Sequence, residues 1–171
     1  SQNFIKGDRI MNAIEKKIYN IKPAYREDFD TLVKRHSQFG GGSDDSKFSQ
    51  GRSFSNAYEV YIYSFFIGIQ KDTQLTLLPG DESCKFLEVN AWQPRELTDY
   101  LLSCAIGRSE FDMFNVQHMD ADKVTTEVRK IKHTIESYAN GGLKYINDLL
   151  VSEPDLIDDD TLFIRLLSNK P

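Results

Sequence analysis

The segment from Phe54 to Gln70 constrains the fold more than any other part of the chain, because it has almost no polar face. Its apolar residues are Tyr58, Val60, Tyr61, Ile62, Tyr63, Phe65, Phe66, Ile67 and Ile69. A helix that is apolar on all sides must be surrounded by other elements. The aromatic and β-branched content would also suit a strand, but the length favours a helix. The segment therefore predicts a buried central helix, capped by Ser53 or Ser55.

Helical periodicity on both sides of this segment predicts the elements that pack around it. Residues 8–19 have apolar side chains at three- and four-residue spacing, as in an amphipathic helix. A second helix is predicted to start at Pro23, a favoured first-turn residue, and to end by Phe39. Further helices are predicted over residues 95–106, 121–139 and 143–150, and after the acidic run Asp158–Asp160. Asn140, Gly141 and Gly142 favour positive φ and predict a stop between 121–139 and 143–150.

These elements predict a mainly α fold, a helical bundle of about six to seven helices. Two short extended pieces around residues 73–89 predict either a small β-hairpin or irregular structure. The 171 residues fit the usual size of a single domain, so one helical domain over residues 1–171 is expected. Three glycines followed by small polar residues predict a flexible Gly/Ser/Asp-rich loop at residues 40–52.

Charge and cysteine content exclude several classes of protein. The net charge of −5 makes the whole chain repel phosphate backbones and anionic lipid, so any nucleic-acid contact requires a local basic face. The sequence has no apolar run of about 18 residues and begins with many charges, which predicts a cytoplasmic protein without membrane contact. Cys84 and Cys104 lack the C-x-x-C spacing and are expected to be reduced and partly buried.

No catalytic, metal or cofactor site is predicted. His36, His118 and His133 lie far apart without the spacing of zinc ligands. Acidic clusters at residues 44–45, 81–82 and 158–160 fall in loops or at helix starts, where solvation and the helix dipole account for them. A metal-dependent hydrolase or nuclease built on these clusters is an alternative that ranks below protein interaction and DNA binding.

The predicted helix at residues 121–139 carries the strongest basic signal in the sequence. Its polar face holds Lys123, Arg129, Lys130 and Lys132. Four cations on one exposed face can attract phosphate locally despite the negative total charge. These four residues are therefore the candidate nucleic-acid-binding site.

Three stretches of the chain also resemble a known family: Arg52–Phe54, FFIGIQK at residues 65–71, and IESYANGGL at residues 135–143. They are similar to the small bacterial accessory proteins found beside DNA-phosphorothioation (Dnd-type) anti-phage systems, over roughly residues 52–150. The resemblance implies an interaction or accessory role in a defence operon and transfers no catalytic residues. The leading expectation is a non-enzymatic module whose partner is another protein, and the alternative is direct DNA binding through the basic face.

Overall fold

The computed structural model describes residues 2–37, 54–159 and 161–168, with side chains from residue 11 onward. Six α-helices form within these ranges: α1 (Gln2–Tyr19), α2 (Asp30–His36), α3 (Ala57–Gln70), α4 (Arg95–Arg108), α5 (Ala121–Ser152) and α6 (Leu162–Ser168). Strands β1 (Ala24–Arg26) and β2 (Ser83–Lys85) make a two-stranded antiparallel sheet. The predicted mainly α fold with a small sheet is confirmed. The loop predicted at residues 40–52 lies outside the described residues. Within the described ranges, short 3-10 turns lie between several of the helices.

The described residues group into two compact units. The first is built from parts of residues 1–23 and 85–135, and the second from parts of residues 24–84 and 136–171. Each unit thus combines segments that are distant in sequence. The single domain over residues 1–171 stays a prediction. None of the helices in the described ranges is both long and apolar enough to cross a membrane.

Helix α3 is the buried helix that the apolar segment predicts, and it lies in the second unit. Tyr61, Phe65 and Ile67 are completely buried. The N-cap is Asn56, whose side chain accepts a hydrogen bond from the Glu59 backbone amide at 2.8 Å. Ser55, one of the two predicted caps, instead donates its backbone amide to the Glu59 carboxylate, and Ser53 lies outside the described residues. The bond to Asn56 satisfies one of the amides left open at the helix start, and the bond from Ser55 ties the preceding residue to the first turn.

The stop predicted at residues 140–142 is wrong, because α5 runs without interruption from Ala121 to Ser152. Gly141 and Gly142 are helical and lie where a side chain would not fit. A Cβ atom on Gly142 would overlap the Ser64 carbonyl oxygen of α3, and one on Gly141 would overlap the Thr73 carbonyl oxygen. The glycines therefore serve close backbone packing within the second unit, which offsets their low helix propensity.

The prediction of a helix from residue 23 is also wrong for its first turns. These residues form β1 and a 3-10 turn, and α2 begins at residue 30. Polar side chains of α5 bind the β1 backbone. The Ala24 amide donates to Glu136 at 3.2 Å, and the Arg26 amide donates to the Asn140 side chain at 2.9 Å. The Asn140 side chain in turn donates to the Ala24 carbonyl oxygen at 3.1 Å. These tertiary hydrogen bonds outweigh the local preference for helix.

The sheet uses only part of the range predicted for a hairpin. Of residues 73–89, Ser83–Lys85 form β2, and its partner is β1, which lies far earlier in the chain. The pairing is therefore nonlocal. Local turn signals in residues 73–89 could not indicate a partner strand at residues 24–26.

The first unit has its own core, centred on Trp92. This side chain is completely buried, its indole nitrogen donates to the Leu87 carbonyl oxygen at 3.0 Å, and Phe86 packs edge-on against its ring. Buried apolar side chains of α1, α4 and α5 complete this core: Ile14, Ile18, Leu101, Leu102, Ala105, Val124 and Ile131. A buried indole with a satisfied N–H is a favourable arrangement.

Candidate interaction surfaces

The structure divides the four predicted cations into two pairs. Lys123 and Lys130 flank Glu127, whose side chain is completely buried: the Lys130 ammonium lies 2.8 Å and the Lys123 ammonium 3.4 Å from Glu127 Oε1. The hydrogen bond from Lys130 is the main cause that lowers the Glu127 pKa. The Asp112 backbone amide also donates to this carboxylate, at 3.1 Å. Lys123 and Lys130 therefore compensate a carboxylate of their own helix.

Arg129 and Lys132 belong to a different surface, a groove of about 380 Å³ in the first unit, here called the cationic groove. One wall comes from α5 and the other from the end of α1 and the residues that follow it. The groove is lined by Lys17, Asn20, Ile21, Lys22, Thr125, Val128, Arg129 and Lys132. Sequence reasoning missed Lys17 and Lys22, because they belong to a segment more than a hundred residues from Arg129.

Three cations of this groove, Lys17, Lys22 and Arg129, are only partly compensated. Lys17 donates to the Thr125 hydroxyl at 3.2 Å, which is a contact with a neutral group. Lys22 pairs with Glu88 at 3.1 Å, and both side chains are well exposed. Arg129 is exposed and forms no ion pair with any residue in the described part of the chain. Because no acidic side chain lines the groove, its local charge is positive.

A second groove of about 420 Å³ in the first unit is mainly apolar and is here called the apolar groove. Side chains of α1, α4 and the segment between α4 and α5 line it. The apolar lining residues are Met11, Ile14, Ile18, Leu102, Ile106, Phe111, Met113 and Val116. The polar ones are Glu15, Tyr19, Asp99 and Ser103. Concave, mainly apolar sites with a few polar groups are typical of binding sites.

The polar lining of the apolar groove has a defined hydrogen-bond pattern. The Tyr19 hydroxyl donates to Asp99 at 3.0 Å, and the Arg95 Nε lies 3.5 Å from the same carboxylate. Burial, followed by the hydrogen bond to Asp99, raises the Tyr19 pKa. Glu15 is exposed and has no ion-pair partner among the residues described. The lining thus contains two carboxylates, of which Glu15 is available to a ligand.

Exposed apolar side chains extend the apolar groove over the neighbouring surface. Met113, which lines the groove, is 52% exposed, and the next residue, Phe114, is 92% exposed. On α4, Tyr100 is 60% exposed and lies one turn before the lining residue Ser103. Exposed apolar side chains next to the lining residues of a groove are typical of an interaction site.

The histidines and cysteines do not form a chemical site within the described ranges. His36 is buried and packs edge-on against Phe163, whereas His118 and His133 are exposed. Burial lowers the pKa of His36 to about 4. Cys84 and Cys104 are free thiols and partly buried, as predicted. No group of three or more His, Cys, Asp or Glu side chains in the described part of the chain could hold a metal ion.

Two members of the acidic clusters, Asp81 and Asp159, act as local structural groups. Asp81 accepts a hydrogen bond from the Leu78 backbone amide at 2.8 Å, which closes a turn. Asp159 accepts bonds from the backbone amide and hydroxyl of Thr161 and pairs with Arg165. The bonds from Thr161 are the main cause that lowers the Asp159 pKa. Asp44, Asp45 and Asp160 lie outside the described residues.

Comparison with protein-family models, with curated proteins and with solved structures gives no significant match to the chain. The relation to Dnd-associated accessory proteins therefore stays a prediction from the sequence. The two grooves of the first unit are the candidate interaction surfaces.

Proposed function

We propose that this protein is a non-enzymatic interaction module that binds another protein through the apolar groove. The observation that carries the proposal is the exposure of apolar side chains in and next to the groove, above all the lining residue Met113 and its neighbour Phe114. Leaving a phenylalanine more than nine-tenths exposed is unfavourable, and burying such a side chain against a partner contributes about 2 kcal/mol.

The width of the apolar surface favours a protein over a small molecule as the occupant. A groove of about 420 Å³ would suffice for a small ligand, but Tyr100 and Phe114 lie on the surface around it. Only a larger ligand can cover the groove and these side chains together. Met11 and Met113 are flexible and polarizable, so they adapt well to the side chains of a partner.

The charges in the groove indicate the chemistry of the partner. Glu15 and Asp99 place two carboxylates beside the apolar side chains, and Arg95 already compensates Asp99 in part. An amphipathic helix with an apolar stripe flanked by Lys or Arg would fill the groove and pair with Glu15. We therefore expect the partner segment to be basic and amphipathic.

The cellular role that we propose is that of an accessory component in a bacterial DNA-modification defence system of the Dnd type. The resemblance at residues 65–71 and 135–143 supports this role. It agrees with an interaction module, since accessory proteins act through contacts with the proteins that carry out the chemistry.

Binding of designed peptides tests the proposal directly. Two helical peptides with the same apolar stripe, one flanked by Lys and one by Glu, are titrated against the full chain by calorimetry. The Lys peptide should bind at least tenfold more tightly than the Glu peptide. Replacement of both Met113 and Phe114 by Ser should weaken binding of the Lys peptide about tenfold or more. Equal binding of both peptides, or binding by neither, would contradict the proposal.

Matched variants separate the groove from general surface effects. Val151 is 73% and Ile164 is 69% exposed, and neither lines the groove, so Ser at both positions should leave peptide binding unchanged. The reversal Glu15→Lys should weaken the Lys peptide and favour the Glu peptide. Co-expression with the modification proteins of a Dnd system, followed by purification of the wild type and the Met113→Ser/Phe114→Ser variant, tests the cellular role. Equal recovery of those proteins with both would reject it.

A further inference from the structure

The cationic groove brings together cations from two segments that are far apart in sequence. Lys17 and Lys22 come from the end of α1 and the residues after it, and Arg129 and Lys132 come from α5. Lys22 pairs with Glu88, whereas Lys17 and Arg129 form no ion pair with any residue in the described ranges. In a chain with a net charge of −5, such a concentration of positive charge is not a consequence of composition.

The neutral lining residues suit phosphate better than they suit a base or an apolar ligand. Thr125 supplies a hydroxyl and Asn20 an amide, which are frequent partners of backbone phosphates. No aromatic side chain lines the groove, so it offers no ring on which a base could stack. The groove therefore has the chemistry for holding a phosphate backbone without reading its sequence.

We infer that the cationic groove binds the phosphodiester backbone of duplex nucleic acid. The residues that carry this binding are Lys17, Lys22 and Arg129. They differ from the basic face predicted on α5 alone, because Lys123 and Lys130 compensate Glu127. The inference goes beyond the proposed protein-binding role and rests on a separate surface.

The test measures binding of a fluorescent 20-bp duplex by anisotropy at 50 and 200 mM salt. Two or three phosphates held by the groove should make the affinity fall about 10- to 40-fold between these concentrations. The double variant Lys17→Gln/Arg129→Gln should weaken binding at 50 mM salt at least tenfold and make the salt dependence shallower. Binding that is absent, or insensitive to salt, would overturn the inference.

The predicted face itself supplies a matched control. The double variant Lys123→Gln/Lys130→Gln also removes two positive charges from the first unit, but it should change the affinity for the duplex less than threefold. Because these lysines compensate Glu127, thermal unfolding is measured for both double variants, and the single variants Arg129→Gln and Lys123→Gln replace them if either unfolds. An equal loss in the two sets would show attraction by overall charge and overturn the assignment to the groove.

Competition identifies the source of the phosphate. Unlabelled duplex should displace the labelled duplex at low concentration. Inorganic phosphate and a poly-glutamate peptide should need a concentration at least a hundredfold higher, counted in negative charges. Displacement by inorganic phosphate at matched charge would identify a small-anion site, and displacement by poly-glutamate would identify a site for an acidic protein. Either result would overturn the inference. The Met113→Ser/Phe114→Ser variant should bind duplex like the wild type, so this test and that of the apolar groove succeed or fail independently.

Discussion

Gly142 in α5 lies so close to Ser64 in α3 that a Cβ atom on the glycine would overlap the serine carbonyl oxygen. The same pair of helices makes a second contact of this kind, in which a Cβ atom on Gly68 would overlap the Tyr138 carbonyl oxygen. The two helices thus meet backbone to backbone. Such contacts tolerate no side chain, because interiors are packed to near crystal density.

Replacement of Gly142 by Ala should destabilise the protein although alanine favours helix. The gain in helix propensity is about 1 kcal/mol, and the displaced backbone should cost more, for a net loss of about 2 kcal/mol or greater. Urea unfolding followed by circular dichroism measures the change. Gly107 is the matched control, since it is also helical but has open space around its Cβ position. Gly107→Ala should stabilise by about 0.5–1 kcal/mol, and a change of the same sign in both variants would contradict this explanation.

Replacement of Asn140 by Ala should also destabilise the second unit. The side chain is completely buried and donates to the carbonyl oxygens of Ala24 and Glu136 while accepting from the Arg26 amide. Leaving these backbone groups unpaired should cost about 2–3 kcal/mol in the free energy of unfolding. Asn140→Asp keeps the acceptor, loses both donors and places a carboxylate near a carbonyl oxygen, so it should cost at least as much. Wild-type stability in either variant would show that these bonds contribute little.

These two residues also show what the sequence could and could not predict. Periodicity predicted α1, α4 and α6, and the length of an almost unbroken apolar run predicted α3, because these patterns are local in the sequence. The helical state of Asn140 and Gly142 depends on β1 and α3, which are distant in sequence. Local propensity therefore indicated a stop where tertiary contacts keep the helix intact.

The candidate sites show the same division between local and nonlocal information. The basic face was visible in the sequence because its four cations lie on one helix. The spacing of Glu127 from Lys123 and Lys130, four and three residues, was a signal that these cations could pair within the helix. The contribution of Lys17 and the convergence of Met113 with α1 depend on the tertiary fold, so periodicity could not reveal either groove.

His36 should make stability depend on pH between about 6.5 and 4. Its ring nitrogens have no hydrogen-bond partner in the described part of the chain, and burial lowers its pKa to about 4. Below pH 6.5 the unfolded chain gains a proton that the folded chain does not, so stability falls until pH 4 is reached. The expected loss is about 3 kcal/mol, measured by urea unfolding across this range.

A variant that cannot take up a proton isolates this effect. His36→Phe should remove the His36 contribution to the pH dependence, whatever its effect on stability at pH 7. The exposed His133→Gln serves as the control and should retain the wild-type profile. Parallel profiles of His36→Phe and the wild type would assign the pH dependence to other groups.

Glu127 should stabilise the first unit through its charge, in a pH range below that of His36. The carboxylate accepts from the Asp112 amide and pairs with Lys130, which lowers its pKa relative to the unfolded chain. Stabilisation is therefore complete above the ordinary carboxylate pKa near 4.5 and is lost as the pH falls through the lowered value. Glu127→Gln keeps the shape and removes the charge, so it should lower the free energy of unfolding by about 1 kcal/mol at pH 7. Unfolding curves of wild type and variant should converge toward pH 3, and a difference that persists there would show that Glu127 acts through packing alone.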